Sequence, residues 1–302
     1  MKGLEVSLGR IKMKNPVMVA SGTFGYATEF SKFIDINRLG AVVTKGITLE
    51  PRKGNNPPRL VETPAGVINS IGLQNVGVDV FVKEKLPFLK KLETNVIVNI
   101  AGYSEYEYSE LAKKLNDAGG IAGIEINISC PNIKSHKIFS QDPKLTFNVV
   151  NKVRRSTKLP IITKLSPNVT DIDIIAKSAE DAGTDAVSLV NTFFGMAIDI
   201  ETRKPKLANI YGGLSGPAIK PIALYLVWKV YRTVKVPVIG IGGIMNSDDA
   251  IEFMLAGATA VEIGTANFVN PRVSMEVISG IKNYMLKHKI KKVSSIIGTL
   301  KN

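Results

Sequence analysis

Short apolar runs that end in polar or small residues recur along this chain. They are Val17 to Ala20 within PVMVASGTFG, AVVTKG at 41–46, NVIVNIAG at 95–102, GIEINIS at 123–129, PIITKLS at 160–166, DAVSLVN at 185–191, VPVIGIGG at 236–243 and AVEIGT at 260–265. Each has the length of a strand and is apolar almost throughout, which predicts eight strands covered on both faces. Between most of them lie segments with apolar residues at helical spacing, such as SELAKKLNDAGG, TDIDIIAKSAEDAGT and NSDDAIEFMLAGAT. These three end in Ala-Gly at Gly119, Gly183 and Gly257, which predicts a left-handed helix C-cap before each following strand. Ahead of the series, Leu4, Val6 and Leu8 alternate with polar residues, as do Ile11 and Met13 after Gly9, which predicts a hairpin.

Eight strands alternating with helices predict a closed β/α barrel of the TIM type, one domain spanning 1–302. An open doubly wound sheet is the alternative. The first strand is not followed by the GxGxxG turn that a dinucleotide-binding half would need there. Segments 46–75 and 192–217 lack sustained helical periodicity and are rich in Gly, Pro and Asn; in a barrel they belong on the catalytic face as binding loops or a lid.

Composition narrows the chemistry. The 302 residues are 45% hydrophobic and 22% charged, enough to bury a large core. The single cysteine, Cys130, excludes an internal disulfide and any iron-sulfur cluster built from this chain's thiolates. His136 and His288 have no metal-ligand spacing and read as surface or loop residues, so no metal is expected. The net charge of +13 raises the question of nucleic acid, but the lysines are spread along the chain. The densest run, Lys287, Lys289, Lys291 and Lys292, lacks interleaved aromatics and reads as a solvated helix face. The opening interleaves charges with apolar residues, and no apolar run approaches the roughly 18 residues of a membrane span, so a soluble cytoplasmic protein is expected.

In a barrel the residues after each strand converge. Here they are Ser21, Lys45, Asn99, Asn127, Lys164 and Asn191, followed by Gly242 with Gly243 and Gly264 with Thr265. Lysines and asparagines suit a flat ligand with amide-like edges, and this set has no carboxylate pair for glycosidase-type hydrolysis. Glycines after the seventh and eighth strands suit a phosphate approached by backbone N–H groups, although each pair could also serve a tight turn alone.

NISCPN at 127–132, ANIYGGLSGPAIKP at 208–221 and the segment 55–75 containing NPPRLVETPAGVINSIGLQN carry a family likeness. IGGIMNSDDA at 241–250 and GTANF at 264–268 match it too, but less specifically. From about residue 4 to residue 285 the chain resembles a class 1 dihydroorotate dehydrogenase, most of all the class 1B catalytic subunit. The resemblance implies an FMN-bound barrel that oxidises dihydroorotate to orotate in pyrimidine synthesis. It makes Cys130 the general base, a role open to a thiol whose unperturbed pKa is about 8.5.

The same resemblance assigns substrate contacts to Lys45, Asn69, Ser70, Ile71, Gly72, Leu73, Asn127, Asn191 and Thr192. It lines the flavin ring and ribityl chain with Ser21, Lys45, Gly46, Asn99, Asn127, Lys164 and Val190, and the phosphate end with Gly216, Gly242, Gly243, Gly264 and Thr265. Lys164 would place a cation beside the flavin N1 and O2 edge. Class 1B enzymes pass electrons to NAD through a separate subunit holding FAD and an iron-sulfur cluster, so a homodimer core joined to such a subunit is implied. The alternatives are a class 1A-type, fumarate-linked homodimer, an FMN barrel acting on another dihydropyrimidine or on tRNA dihydrouridine, and a non-catalytic scaffold. Two departures stand out: the loop 133–143 lacks the family's glycines, and Gly46 stands where relatives often carry a larger residue.

Overall fold

The computed structural model describes residues 3–129 and 138–301. Eight parallel strands close into a barrel in chain order: Val17–Val19, Ala41–Val43, Asn95–Ile100, Gly123–Asn127, Ile161–Lys164, Ala186–Leu189, Val238–Ile241 and Ala258–Ile263. The eighth strand returns to the first, with Val261, Glu262 and Ile263 opposite Val17, Met18 and Val19. The eight apolar runs are therefore the eight barrel strands, buried on both sides as their continuous apolar character requires.

Long helices wrap the barrel at Glu105–Ala118, Pro143–Arg154, Ile172–Asp181, Lys220–Tyr231, Ser247–Leu255 and Val273–Lys287. Polar side chains start several of them. Ser104 accepts a bond from the Glu107 N–H, Asp142 from Lys144 and Leu145, and Asn246 from Asp249, each satisfying donors that the first helical turn leaves open. Gly119, Gly183 and Gly257 follow three of the helices with φ of 61°, 95° and 123°, the left-handed geometry expected of the Ala-Gly ends.

The hairpin Val6–Leu8 and Ile11–Met13 closes the amino-terminal mouth of the barrel. A Cβ on Gly123, where the fourth strand begins, would lie 2.9 Å from Ile11, and Lys12 O accepts a bond from the Asn95 side chain at the start of the third strand.

Two expectations need correction. The segments 46–75 and 192–217, expected as binding loops or a lid on the catalytic face, do cover that face but are not plain loops: they join in a four-stranded antiparallel sheet ordered Phe193–Met196, Tyr211–Ser215, Gly66–Asn69 and Leu60–Thr63. This sheet roofs the carboxyl ends of the barrel strands. The lysine run near the carboxyl end is solvated, but only Lys287 belongs to a helix; Lys289, Lys291 and Lys292 follow it in a turn. His288 is exposed and rests against the Tyr284 ring, with centroids 4.3 Å apart. His136 lies outside the described residues. Among the described residues no helix is long and apolar enough to cross a membrane.

Candidate active site

The strand ends below and the roof above enclose a cavity of about 1020 Å³. Its floor carries Ser21, Lys45, Gly46, Asn99, Asn127 and Lys164 from the first five strands and the residues just after them. Val190, Asn191 and Thr192 follow the sixth strand along one wall, and Gly242, Gly243, Gly264 and Thr265 form the turns after the seventh and eighth. From the roof side come Asn69, Ser70, Ile71, Gly72 and Leu73, with Gly216 beside the two glycine turns. Apart from Cys130, which lies outside the described residues, every site residue named from sequence lines this one cavity.

The asparagines hold one another. Asn191 donates to Asn127 Oδ1 at 3.2 Å and to Ser129 Oγ at 2.9 Å, while its own Oδ1 accepts the Thr192 N–H at 2.8 Å. Tyr108 donates to the Asn127 carbonyl at 2.5 Å, which fixes the end of the fourth strand from behind. In the roof Asn69 donates to Gly213 O at 3.2 Å, tying the two long segments together over the cavity. Such bonds fix rotamers before a ligand arrives, so less ordering entropy is lost on binding.

The glycine turns differ in what they require. A Cβ on Gly243, where φ is 74°, would stand 2.8 Å from the Lys220 nitrogen, and one on Gly242 would stand 2.9 Å from Ala223. These glycines are thus demanded by their positive φ and by the close approach of the chain at residues 219–223, with or without a ligand. Gly264 is different: a Cβ there would meet only Ala20, at 3.7 Å, and would otherwise occupy open cavity. Gly46 is set by Asn99, whose Oδ1 would lie 2.9 Å from an added Cβ. The smaller residue at this departure from the family pattern leaves room for the Asn99 side chain.

Beneath the floor lies a charged cluster that was not singled out from sequence. Lys164 is only 5% exposed, and its ammonium stands 3.7 Å from Glu125 and 3.7 Å from Glu262, both fully buried. It also donates to Ser21 Oγ at 3.3 Å, toward the cavity. Asn99 and Ser188 donate to the two oxygens of Glu125, at 2.6 and 2.8 Å. Burial works against the Lys164 ammonium, but the carboxyl groups beside it, Glu125 foremost, outweigh it and hold its pKa above the ordinary lysine value. Lys45 is pushed the other way, by its own burial and then by the Arg59 guanidinium. The signal for the cluster was present in GIEI and AVEI, where an ionisable residue interrupts an apolar strand.

The rim holds further residues that sequence reasoning left out. Arg52 lies over the Tyr103 ring at 4.1 Å and donates to its hydroxyl, while Arg59 donates to Gln74 at 2.8 Å. Asn168 donates to the Thr192 carbonyl at 2.9 Å. Arg59 falls inside the distinctive segment 55–75, but nothing in the spacing showed that it would face the cavity.

Comparison with known proteins agrees with this architecture. The family model described as dihydroorotate dehydrogenase matches residues 3–285. A protein of Citrifermentans bemidjiense named dihydroorotate dehydrogenase B (NAD(+)), catalytic subunit, is 55% identical over 98% of this chain and 98% of its own length. Proteins with the same name from Geotalea daltonii, 56% identical over 99% of this chain and 98% of theirs, and from Thermoanaerobacter sp., 55% identical over 99% of both, are similarly close. A crystal structure of dihydroorotate dehydrogenase from Eimeria tenella in complex with ferulenol shares the fold, with a TM-score of 0.82, 24% identity and coverage of 98% and 88% of the two chains. By its sequence match over nearly its whole length, the chain belongs to the dihydroorotate dehydrogenase family.

Proposed function

We propose that this chain oxidises dihydroorotate to orotate, the redox step of pyrimidine synthesis, with FMN held in the roofed cavity and Cys130 as general base. The observation that carries the reading is a single cavity joining the glycine turns of the seventh and eighth strands to an asparagine cluster under the roof. The residues present fit the cofactor: Gly264 leaves a side-chain-sized space beside a backbone turn, and the far end offers amides and an ammonium to an electron-rich ring edge.

Gly216, Gly242, Gly243, Gly264 and Thr265 would hold the phosphate end. Ser21, Lys45, Gly46, Asn99, Asn127, Lys164 and Val190 would flank the ring and ribityl chain. Bound FMN supplies a two-electron acceptor for the substrate's hydride. Lys45, Asn69, Asn127, Asn191 and Thr192, with the backbone of Ser70, Ile71, Gly72 and Leu73, orient the substrate's carboxylate and imide edges. Cys130 Sγ takes the proton from the ring carbon next to the one that loses hydride. Lys164, which reaches Ser21 on the cavity side, would offer its charge to the electronegative ring edge of the flavin and so favour electron uptake.

The relatives' shared name, a catalytic subunit of an NAD(+)-linked enzyme, supports a second subunit for electron export. One cysteine cannot ligate an iron-sulfur cluster, so the reading places FAD and the cluster on that partner, joined to a dimer of this chain. The reaction is placed in the cytoplasm as part of the same proposal.

Purified without added cofactor, the chain should be yellow, and dihydroorotate added without oxygen should bleach it. A colourless protein, or a yellow one that stays yellow, would overturn the assignment.

A further inference from the structure

The two carboxyl groups flanking Lys164 are not equivalent. Glu125, on the fourth strand, accepts hydrogen bonds from Asn99 and Ser188 and so has the surroundings of an anion. Glu262, on the eighth, accepts no hydrogen bond from a fixed donor among the described residues, and the groups its carboxyl meets are the Glu125 carboxyl and the Lys164 ammonium. The residues opposite it on the neighbouring strands are Met18 and Ile241, both apolar. The charged groups acting on it are Glu125 and Lys164. A second anion here would stand in an apolar wall beside an existing carboxylate and share one ammonium at 3.7 Å. A neutral acid avoids both the desolvation of a charge and the repulsion.

We propose that Glu262 is a neutral carboxylic acid in the folded protein at neutral pH, leaving Glu125 as the single anion that balances Lys164. Burial, and after it the charge on Glu125, raise the Glu262 pKa well above the ordinary glutamate value, which agrees with the geometry. Glu262 is then a positioning residue. Protonated, it can donate to Glu125 and fill the second side of the ammonium, 3.7 Å away, without adding charge, so the cluster is neutral overall and the positive end of the pair faces Ser21 and the cavity. With both acids ionised the cluster around Lys164 would carry net negative charge, and the ammonium would offer less to an electron-rich ligand edge. Negative charge arriving in the cavity would tighten the hold of Glu262 on its proton. The state of Glu262 is a property of the barrel lumen and does not depend on which ligand fills the cavity.

The test compares Glu262→Gln with Glu125→Gln in the full chain as purified. Glutamine has the shape and the neutrality of the protonated acid, so Glu262→Gln should unfold at or above the wild-type temperature at pH 7. Glu125→Gln should unfold lower, because Lys164 loses its anion. The folded pKa of Glu262 lies above its unfolded value, so its contribution to stability is full below the unfolded glutamate pKa of about 4.3 and fades as pH rises toward the folded value. Wild type should therefore lose stability relative to Glu262→Gln as pH rises through that window. Infrared spectra at pH 7 should show a protonated-carboxyl C=O band that shifts on carbon-13 labelling of glutamate and is absent from Glu262→Gln. A Glu262→Gln variant that unfolds earlier or fails to fold, an equal loss in both variants, or a band that is missing from wild type or persists in the variant would each overturn the proposal.

Discussion

Cys130→Ala is expected to slow dihydroorotate oxidation by about 10²–10⁴-fold, the usual contribution of a positioned general base, while the protein keeps its flavin. Alanine removes the proton acceptor and leaves intact the residues proposed to hold the cofactor. Of those residues only Asn127 belongs to NISCPN, and its side chain is held separately by Asn191. The measurement is anaerobic stopped-flow bleaching by dihydroorotate, read beside the flavin-to-protein ratio. A bleaching rate within a few-fold of wild type, with flavin bound, would remove Cys130 from the mechanism. Loss of flavin with loss of rate would instead make the segment part of the cofactor site.

The second large effect belongs to Lys164→Met. Methionine has a similar reach but no charge, and the Glu125 carboxylate would be left in the lumen without its cation. Breaking a buried pair from one side costs about 3–5 kcal/mol, because the remaining charge is uncompensated. Denaturant unfolding should show a loss of that order. Adding Glu125→Gln to Lys164→Met should recover most of it, since glutamine can still accept from Asn99 or Ser188 without needing a counter-ion. The double variant then separates stability from chemistry. If it folds and keeps flavin, bleaching by dihydroorotate should still be about 10²–10³-fold slower, the scale for losing one donor aimed at developing charge. Wild-type bleaching in the double variant would confine Lys164 to a structural role.

The barrel was legible because its strands are buried on both faces. Val96, Ile97 and Val98, or Ile161 and Ile162, need no partner information to be read as strand. The strand-end residues followed from the same geometry, since the carboxyl ends of eight parallel strands must converge. The roof was not legible. Leu60–Thr63 alternates between exposed and half-buried positions, and Tyr211–Ser215 carries Gly212 and Gly213, so neither segment has the apolar pattern of a core strand. The buried acids were not legible from strand ends, because Glu125 and Glu262 lie within the fourth and eighth strands and not after them. A charge inside an otherwise apolar strand points into the lumen or makes the strand untenable, and that argument needs no coordinates.

The roof also fixes an order of assembly. Its Asn69–Gly213 contact spans 144 residues, and the third to sixth barrel strands lie between the two partners. Closing so long a loop is entropically costly until the intervening strands are docked. Six of the eight barrel strands precede Tyr211–Ser215 in the chain, so the four-stranded cover is completed after they have been made. The cover can form only after residue 215 has appeared, and the glycine turns of the last two strands arrive later still. A ligand that needs both the cover and the last two glycine turns can thus be enclosed only once the chain has been made past residue 265.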